Sequence, residues 1–209
     1  MRLDHVSYAV APSEFVDTLQ RIGSALGAAF VDGGRHPRFG TRNFVLPLAG
    51  GVYVEVVTAL DHPATEVAPF ARAVRERAAL GGGWLGWVVA VDDLAPIEAR
   101  LGRQAVGGHR IRPDGVDLTW RQLGVKGLLG DPQLPFFVQW TSPEEDHPSQ
   151  GAGPVGLESL QVAGDPDVVA EWLGEPVASL DGVAVSWLDP GEDVDPGLVS
   201  VTFATPRGP

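Results

Sequence analysis

The sequence predicts an α+β fold: paired βαβββ modules whose curved sheets enclose a cavity, followed by a partial third module. Three observations predict it. A strand, helix, strands order runs through residues 1-80 and restarts over 84-142. The two runs stay in step, with Val10 falling on Val91 at an offset of 81 and Glu55 on Gln139 at an offset of 84. The strands carrying Glu55 and Gln139 are each followed by the same tripeptide, Asp61-His62-Pro63 and then Asp146-His147-Pro148. Offsets that drift by only three residues mark an internal duplication.

Each element has its own signal. In Arg2 to Val10, Val6, Tyr8 and Val10 alternate with His5, Ser7 and Ala9, the period of a strand with one apolar face. Ser13 is the expected N-cap of a helix in which Phe15, Val16, Leu19, Ile22 and Leu26 recur at helical spacing until Gly27. A turn-rich stretch, Asp32 to Gly40, leads to a hairpin of Thr41 to Leu48 and Val52 to Thr58 around Ala49-Gly50-Gly51. A short helix over Pro69 to Leu80 ends at Gly81-Gly82-Gly83, the expected module boundary.

The second run opens with a strand over Gly86 to Val91. Asp92-Asp93-Leu94 then starts a helix carrying Ile97 and Leu101, His109 reads as a loop residue, and Val116 to Leu123 and Phe136 to Thr141 read as strands. Residues 1-150 thus form one two-module domain, closed by a Pro/Ser/Gly-rich hinge from Ser142 to Gly153. Residues 155-209 form a trimmed βαββ unit, with strands over Leu157 to Val162, Val183 to Trp187 and Val199 to Phe203 and a helix over Val168 to Leu173.

Composition excludes several classes of function. Fifteen Lys and Arg against 27 Asp and Glu give a net charge of −12, which repels a phosphate backbone, so no nucleic-acid partner is expected. No apolar run approaches the roughly 20 residues that span a bilayer, so no membrane segment is expected. The start lacks the pattern of a secretory signal and cysteine is absent, so a cytoplasmic location is expected and any metal must use His, Asp, Glu or amide oxygens. With no phosphate loop and no Gly-x-Ser-x-Gly, neither a nucleotide cofactor nor serine-hydrolase chemistry is expected.

The partner implied by a cavity between curved sheets is a small molecule. His5 lies on the polar face of the first strand and Glu55 interrupts Val52-Val54-Val56, so both are expected to point into the cavity, where they can form a hydrogen-bonded pair. His36, Arg42 and Asn43 precede and open the strand leading toward Glu55 and are candidates for the cavity mouth; a Gly/Pro-built turn with solvated arginines is the alternative. Arg121 is expected to face the pocket or to pair with Asp117. Trp87, Phe137 and Trp140 are candidates for an aromatic wall. His62 and His147, in their Asp-His-Pro turns, read as structural.

The chain resembles the vicinal oxygen chelate superfamily, which includes glyoxalases, extradiol dioxygenases and bleomycin-resistance proteins. The likeness rests on Leu3-Asp4-His5-Val6 and Tyr53-Val54-Glu55-Val56. Gly34 to Asn43, Gly86-Trp87, Arg112-Pro113-Asp114-Gly115 and Pro135 to Trp140 are similar to its glyoxalase-like domain subgroup. The resemblance implies ligands for a divalent metal ion at His5, Glu55 and Gln139, with Gly86 supplying nothing at the fourth position. It implies a lyase or isomerase acting on a small carbonyl or vicinal-oxygen compound, in which Glu55 moves a proton and the metal or Arg121 polarises the oxygen. A non-catalytic module that sequesters a small molecule is the alternative it implies. It also allows module pairing to be completed across a homodimer.

Overall fold

The computed structural model describes residues 1–191 and 194–206. Residues 192–193 and 207–209 of the expected third unit therefore lie outside the described residues. The first module is β1 (Arg2–Ala9), α1 (Phe15–Leu26), β2 (Val31–His36), β3 (Thr41–Leu48) and β4 (Val52–Ala59). A short α2 (Ala64–Val67) and α3 (Pro69–Ala79) link it to the second. That second module is β5 (Gly83–Ala90), α4 (Ala95–Leu101), β6 (Val106–Ile111), β7 (Asp117–Leu123), α5 (Gly127–Gly130) and β8 (Phe136–Trp140). The third unit is β9 (Gly156–Ala163), α6 (Pro166–Leu173), β10 (Ser179–Leu180), β11 (Val183–Leu188) and β12 (Gly197–Ala204).

Eight strands close into a barrel in the order β1-β4-β3-β2-β6-β7-β8-β5. Read outward from the β1–β5 seam, both modules run first, fourth, third, second, and in each the first strand pairs parallel with the last. The duplication in the sequence is therefore a duplication of topology. The third unit repeats the local pattern, since β9 pairs parallel with β11 and antiparallel with β12, as β1 does with β4 and β5.

The stretch from Asp32 to Gly40 and the loop around His109 depart from expectation, because each contains a strand. Val31–His36 and Val106–Ile111 are the second strands of their modules, and they meet at Arg35 and Ile111 to close the barrel. Each holds a Gly-Gly pair, which lowers strand propensity and hides the alternation. Packing requires these glycines: a Cβ at Gly33 would overlap Asn43 Oδ1 and Arg110 Nη1, and one at Gly108 would overlap the Trp120 ring. Ser13 is likewise no cap. It sits in a 3₁₀ turn before α1, while Gly27 ends the helix at φ 64° as expected.

Apolar residues pack on both surfaces of the barrel. Outside, Val6, Leu46, Val54, Val56, Trp87 and Phe137 share one core with α1, α4 and the third unit. Inside, Ala9, Val57, Val88, Phe136 and Val138 pack against Phe70, Ala73 and Val74 of α3 and Leu128 of α5. This plug fills part of the interior and leaves a small polar chamber. No helix among the described residues is long and apolar enough to cross a membrane.

Candidate functional site

The chamber, about 50 Å³, is walled by His5, His36, Asn43, Tyr53, Glu55, Arg110 and Gln122, with Phe39, Phe70, Trp120, Phe136, Val138 and Trp140 as its apolar lining. That volume equals a few water molecules, so only the end of a ligand fits without movement. Two polar systems face it.

The first is built on β1. Opposite β5, Leu3 pairs with Val89 and His5 with Val88, so Asp4 is an extra residue in a bulge. Bulges re-aim side chains. Here Asp4 is fully buried; its carboxylate accepts from His5 Nδ1 (2.7 Å), Trp140 Nε1 (3.0 Å) and His147 Nε2 (3.1 Å). Burial pushes the Asp4 carboxyl up, but the His147 and His5 hydrogen bonds and their charges outweigh it and hold it well below the usual range. Ser149 donates its N–H to His147 Nδ1 (3.2 Å), which leaves the His147 proton on Nε2, toward Asp4. His5 turns Nδ1 to the Asp4 carboxylate. Its ring stacks on Tyr53, with centroids 4.5 Å apart, and Nε2 has no partner among the described residues. The site thus presents an imidazole nitrogen, Nε2, on a ring backed by a carboxylate.

The second system joins β1, β4, β3 and β6. Glu55, 5% exposed, accepts from Ser7 Oγ (2.7 Å) and Asn43 Nδ2 (2.6 Å), while Asn43 Oδ1 accepts from Arg110 Nη1 (2.8 Å). Burial pushes the Glu55 carboxyl up, but His5, His36, Ser7 and Asn43 together hold it below its ordinary value. His36 shares a hydrogen bond with Thr41 Oγ1 (2.9 Å); burial and the Arg110 charge push it down to about 4, so it is neutral at pH 7. Burial also raises the Tyr53 phenol well above its ordinary value.

The chamber therefore brings together His5, His36, Asn43, Glu55 and Trp140 of the residues singled out in the sequence. It leaves out five. Arg121 faces outward and grips Glu98 through two contacts (2.8 and 2.9 Å). Gln139 is also outside, donating to the Asp92 carbonyl (2.9 Å). Trp87 and Phe137 are fully buried in the outer core, and Arg42 pairs with Asp32 (2.6 Å). Parity explains these corrections. On β8, Phe136-Phe137-Val138 is apolar at every position because both faces are covered, so alternation cannot say which residues point in, and a one-residue error turns every side chain around.

The expected metal set does not assemble. Gln139 is on the far face, and both Glu55 oxygens and His5 Nδ1 are already engaged. Among the described residues no three His, Asp or Glu side chains are grouped to hold an ion. These residues do not fit a divalent metal, which needs several free ligands. Sequence reading missed Asp4, Tyr53, Arg110, Gln122 and His147. His147 carried a signal, since its tripeptide echo His62 merely caps a local turn by accepting from Ala64 N–H.

The sequence matches the glyoxalase-like domain family over residues 3–177. The chain belongs to this family. The match extends past the barrel through α6. Among curated proteins no match was found. Among solved structures, a hypothetical protein from Staphylococcus aureus shares the fold of this glyoxalase-like chain with a TM-score of 0.71 at 14% identity, over 96% of this chain and 90% of its own. Methylmalonyl-CoA epimerase from Mycobacterium tuberculosis aligns with a TM-score of 0.45 at 21% identity, over 68% of this chain and 89% of its own.

Proposed function

We propose that this glyoxalase-like protein is an isomerase-type enzyme that moves a proton on a small carbonyl compound, with His5 as the proton carrier. The observation that carries this reading is the Asp4–His5 pair in the chamber wall, with Nε2 turned to the ligand space. His5 Nε2 takes the proton from the carbon beside the carbonyl. The C–H electron pair becomes the C=C bond, and the carbonyl electrons move onto oxygen, where Arg110 offers positive charge. Return of the proton at another position or from the other face gives the isomer, and nothing else is consumed. In a lyase variant of the same chemistry, a leaving group on the next carbon would depart instead.

Glu55 holds the framework in this scheme and is a weak base, because both its oxygens accept hydrogen bonds and its ionised form is favoured. A positioned base contributes roughly 10²- to 10⁴-fold. The test is exchange of carbon-bound hydrogen for solvent deuterium, followed by proton NMR with pyruvate, methylglyoxal and dihydroxyacetone. Wild type should accelerate exchange in at least one of them, and His5→Gln should lose 100-fold or more. Exchange at background rates in wild type, or equal rates in the variant, removes the enzyme reading in favour of a binding protein.

A further inference from the structure

Arg110 is 3% exposed, lines the chamber, and has no carboxylate within ion-pair distance among the described residues. A guanidinium has five N–H groups. One bonds Asn43 Oδ1; the others have no protein acceptor among the described residues, and neither Nε nor Nη2 is a sealed, unpartnered atom. A buried charge left in this state is costly unless something pairs with it.

The chamber's two carboxylates do not fill that role. Glu55 is separated from Arg110 by Asn43, with its oxygens turned to Ser7 and Asn43, and Asp4 is surrounded by the donors of His5, Trp140 and His147. His36 is neutral at pH 7. Among the described residues the guanidinium is thus a cation of the chamber wall with no carboxylate in direct contact; Glu55 acts on it only through Asn43 and at a distance. A second barrier to chance holds it there, since the Gly33 backbone leaves room for Asn43 and Arg110 to meet.

We propose that Arg110 is the ligand-selecting residue of this site and that the ligand is a small 2-oxo monocarboxylate. The guanidinium fork would hold a carboxylate oxygen and the adjacent carbonyl oxygen through parallel N–H groups. The carboxylate half of this assignment rests on Arg110; the carbonyl half rests on the proton-transfer reading above. One guanidinium balances one negative charge, and the small, aromatic-walled chamber favours a planar monoanion over a phosphate.

The experiment is calorimetric titration of the full chain with pyruvate, its neutral amide pyruvamide, and inorganic phosphate. Pyruvate should bind at least about tenfold more tightly than pyruvamide, the margin of a charge-assisted hydrogen bond, and more tightly than phosphate. Arg110→Met should abolish the preference and Arg110→Lys should retain part of it, with circular dichroism confirming that each is folded. Equal binding of pyruvate and pyruvamide, tighter binding of phosphate, or an unchanged preference in a folded Arg110→Met overturns the proposal. If Arg110→Met does not fold, Arg110→Lys decides alone, because a point charge without the fork should weaken pyruvate severalfold while leaving pyruvamide unchanged. Binding is read without turnover, so an inert protein that selects pyruvate through Arg110 removes the enzyme reading and supports the carboxylate half of this assignment alone.

Discussion

His36 shows how a single residue ties the site to the stability of the whole chain. Burial and the nearby Arg110 charge lower it from an ordinary 6.5 to about 4, with Glu55 pulling the other way and His109 and His5 adding smaller effects. The unfolded chain therefore takes up a proton at a pH where the folded chain does not. The stability this supplies is complete above pH 6.5, is lost as pH falls from 6.5 to about 4, and amounts to up to about 3 kcal/mol. Glu55, held below its ordinary value, adds a loss of the same sign only at lower pH, as pH falls through its folded value. Urea unfolding at pH 7, 5.5 and 4.5 should show a steep decline in wild type and a shallower one in His36→Gln; parallel declines would contradict a neutral buried imidazole. The same residue scale explains why Asp4 was invisible in the sequence. Nothing in Leu3-Asp4-His5 marks a bulge, and without one Asp4 would face away from His5.

At the scale of elements, β7 and β8 carry the main lesson. The apolar half of β8 is covered on both faces, by the chamber inside and α6 outside, whereas the outer face of β7 stays partly exposed at Asp117 and Arg121. Phe137 stacks at 5.8 Å on Trp172 of α6, while its neighbour Phe136 meets His5 at 6.1 Å inside the barrel. Phe137→Ala should therefore cost about 3–5 kcal/mol in a denaturant melt and leave pyruvate affinity within twofold. A loss below about 1 kcal/mol, or a large change in affinity, would place that ring at the ligand instead. The seam strands β2 and β6 show the opposite problem: their glycines remove the pattern altogether, yet they supply His36 and Arg110. The signal available in the sequence was the paired Gly-Gly within two otherwise matching modules.

For the whole molecule, the third unit is bound to the barrel by shared packing. Leu157, Leu160, Val162, Val169, Trp172 and Leu173 belong to the same buried cluster as Val6, Trp87 and Phe137, and Ala49 N–H bonds the Val155 carbonyl across the junction (2.8 Å). Removing it would expose the apolar outer wall of β5 and β8. One cooperative thermal transition is expected by calorimetry, with calorimetric and van't Hoff enthalpies in agreement. Two resolved transitions would mean that barrel and third unit fold separately.

The sequence by itself determined the fold class, the duplication, most strands and helices, and the inward faces of β1 and β4. His5 and Ser7 share one face of β1, and Glu55 is the lone charge among the valines of β4. Period-two patterning is local, so it survives in one dimension. Only the tertiary structure decided the rest. The facing parity of β8 depends on two covered surfaces. The Asp4–His147 bond joins residues 143 positions apart, and the Asn43–Arg110 bond crosses from one module to the other. Contacts of that kind are set by barrel closure and by a one-residue bulge, neither of which leaves a periodic trace in the chain.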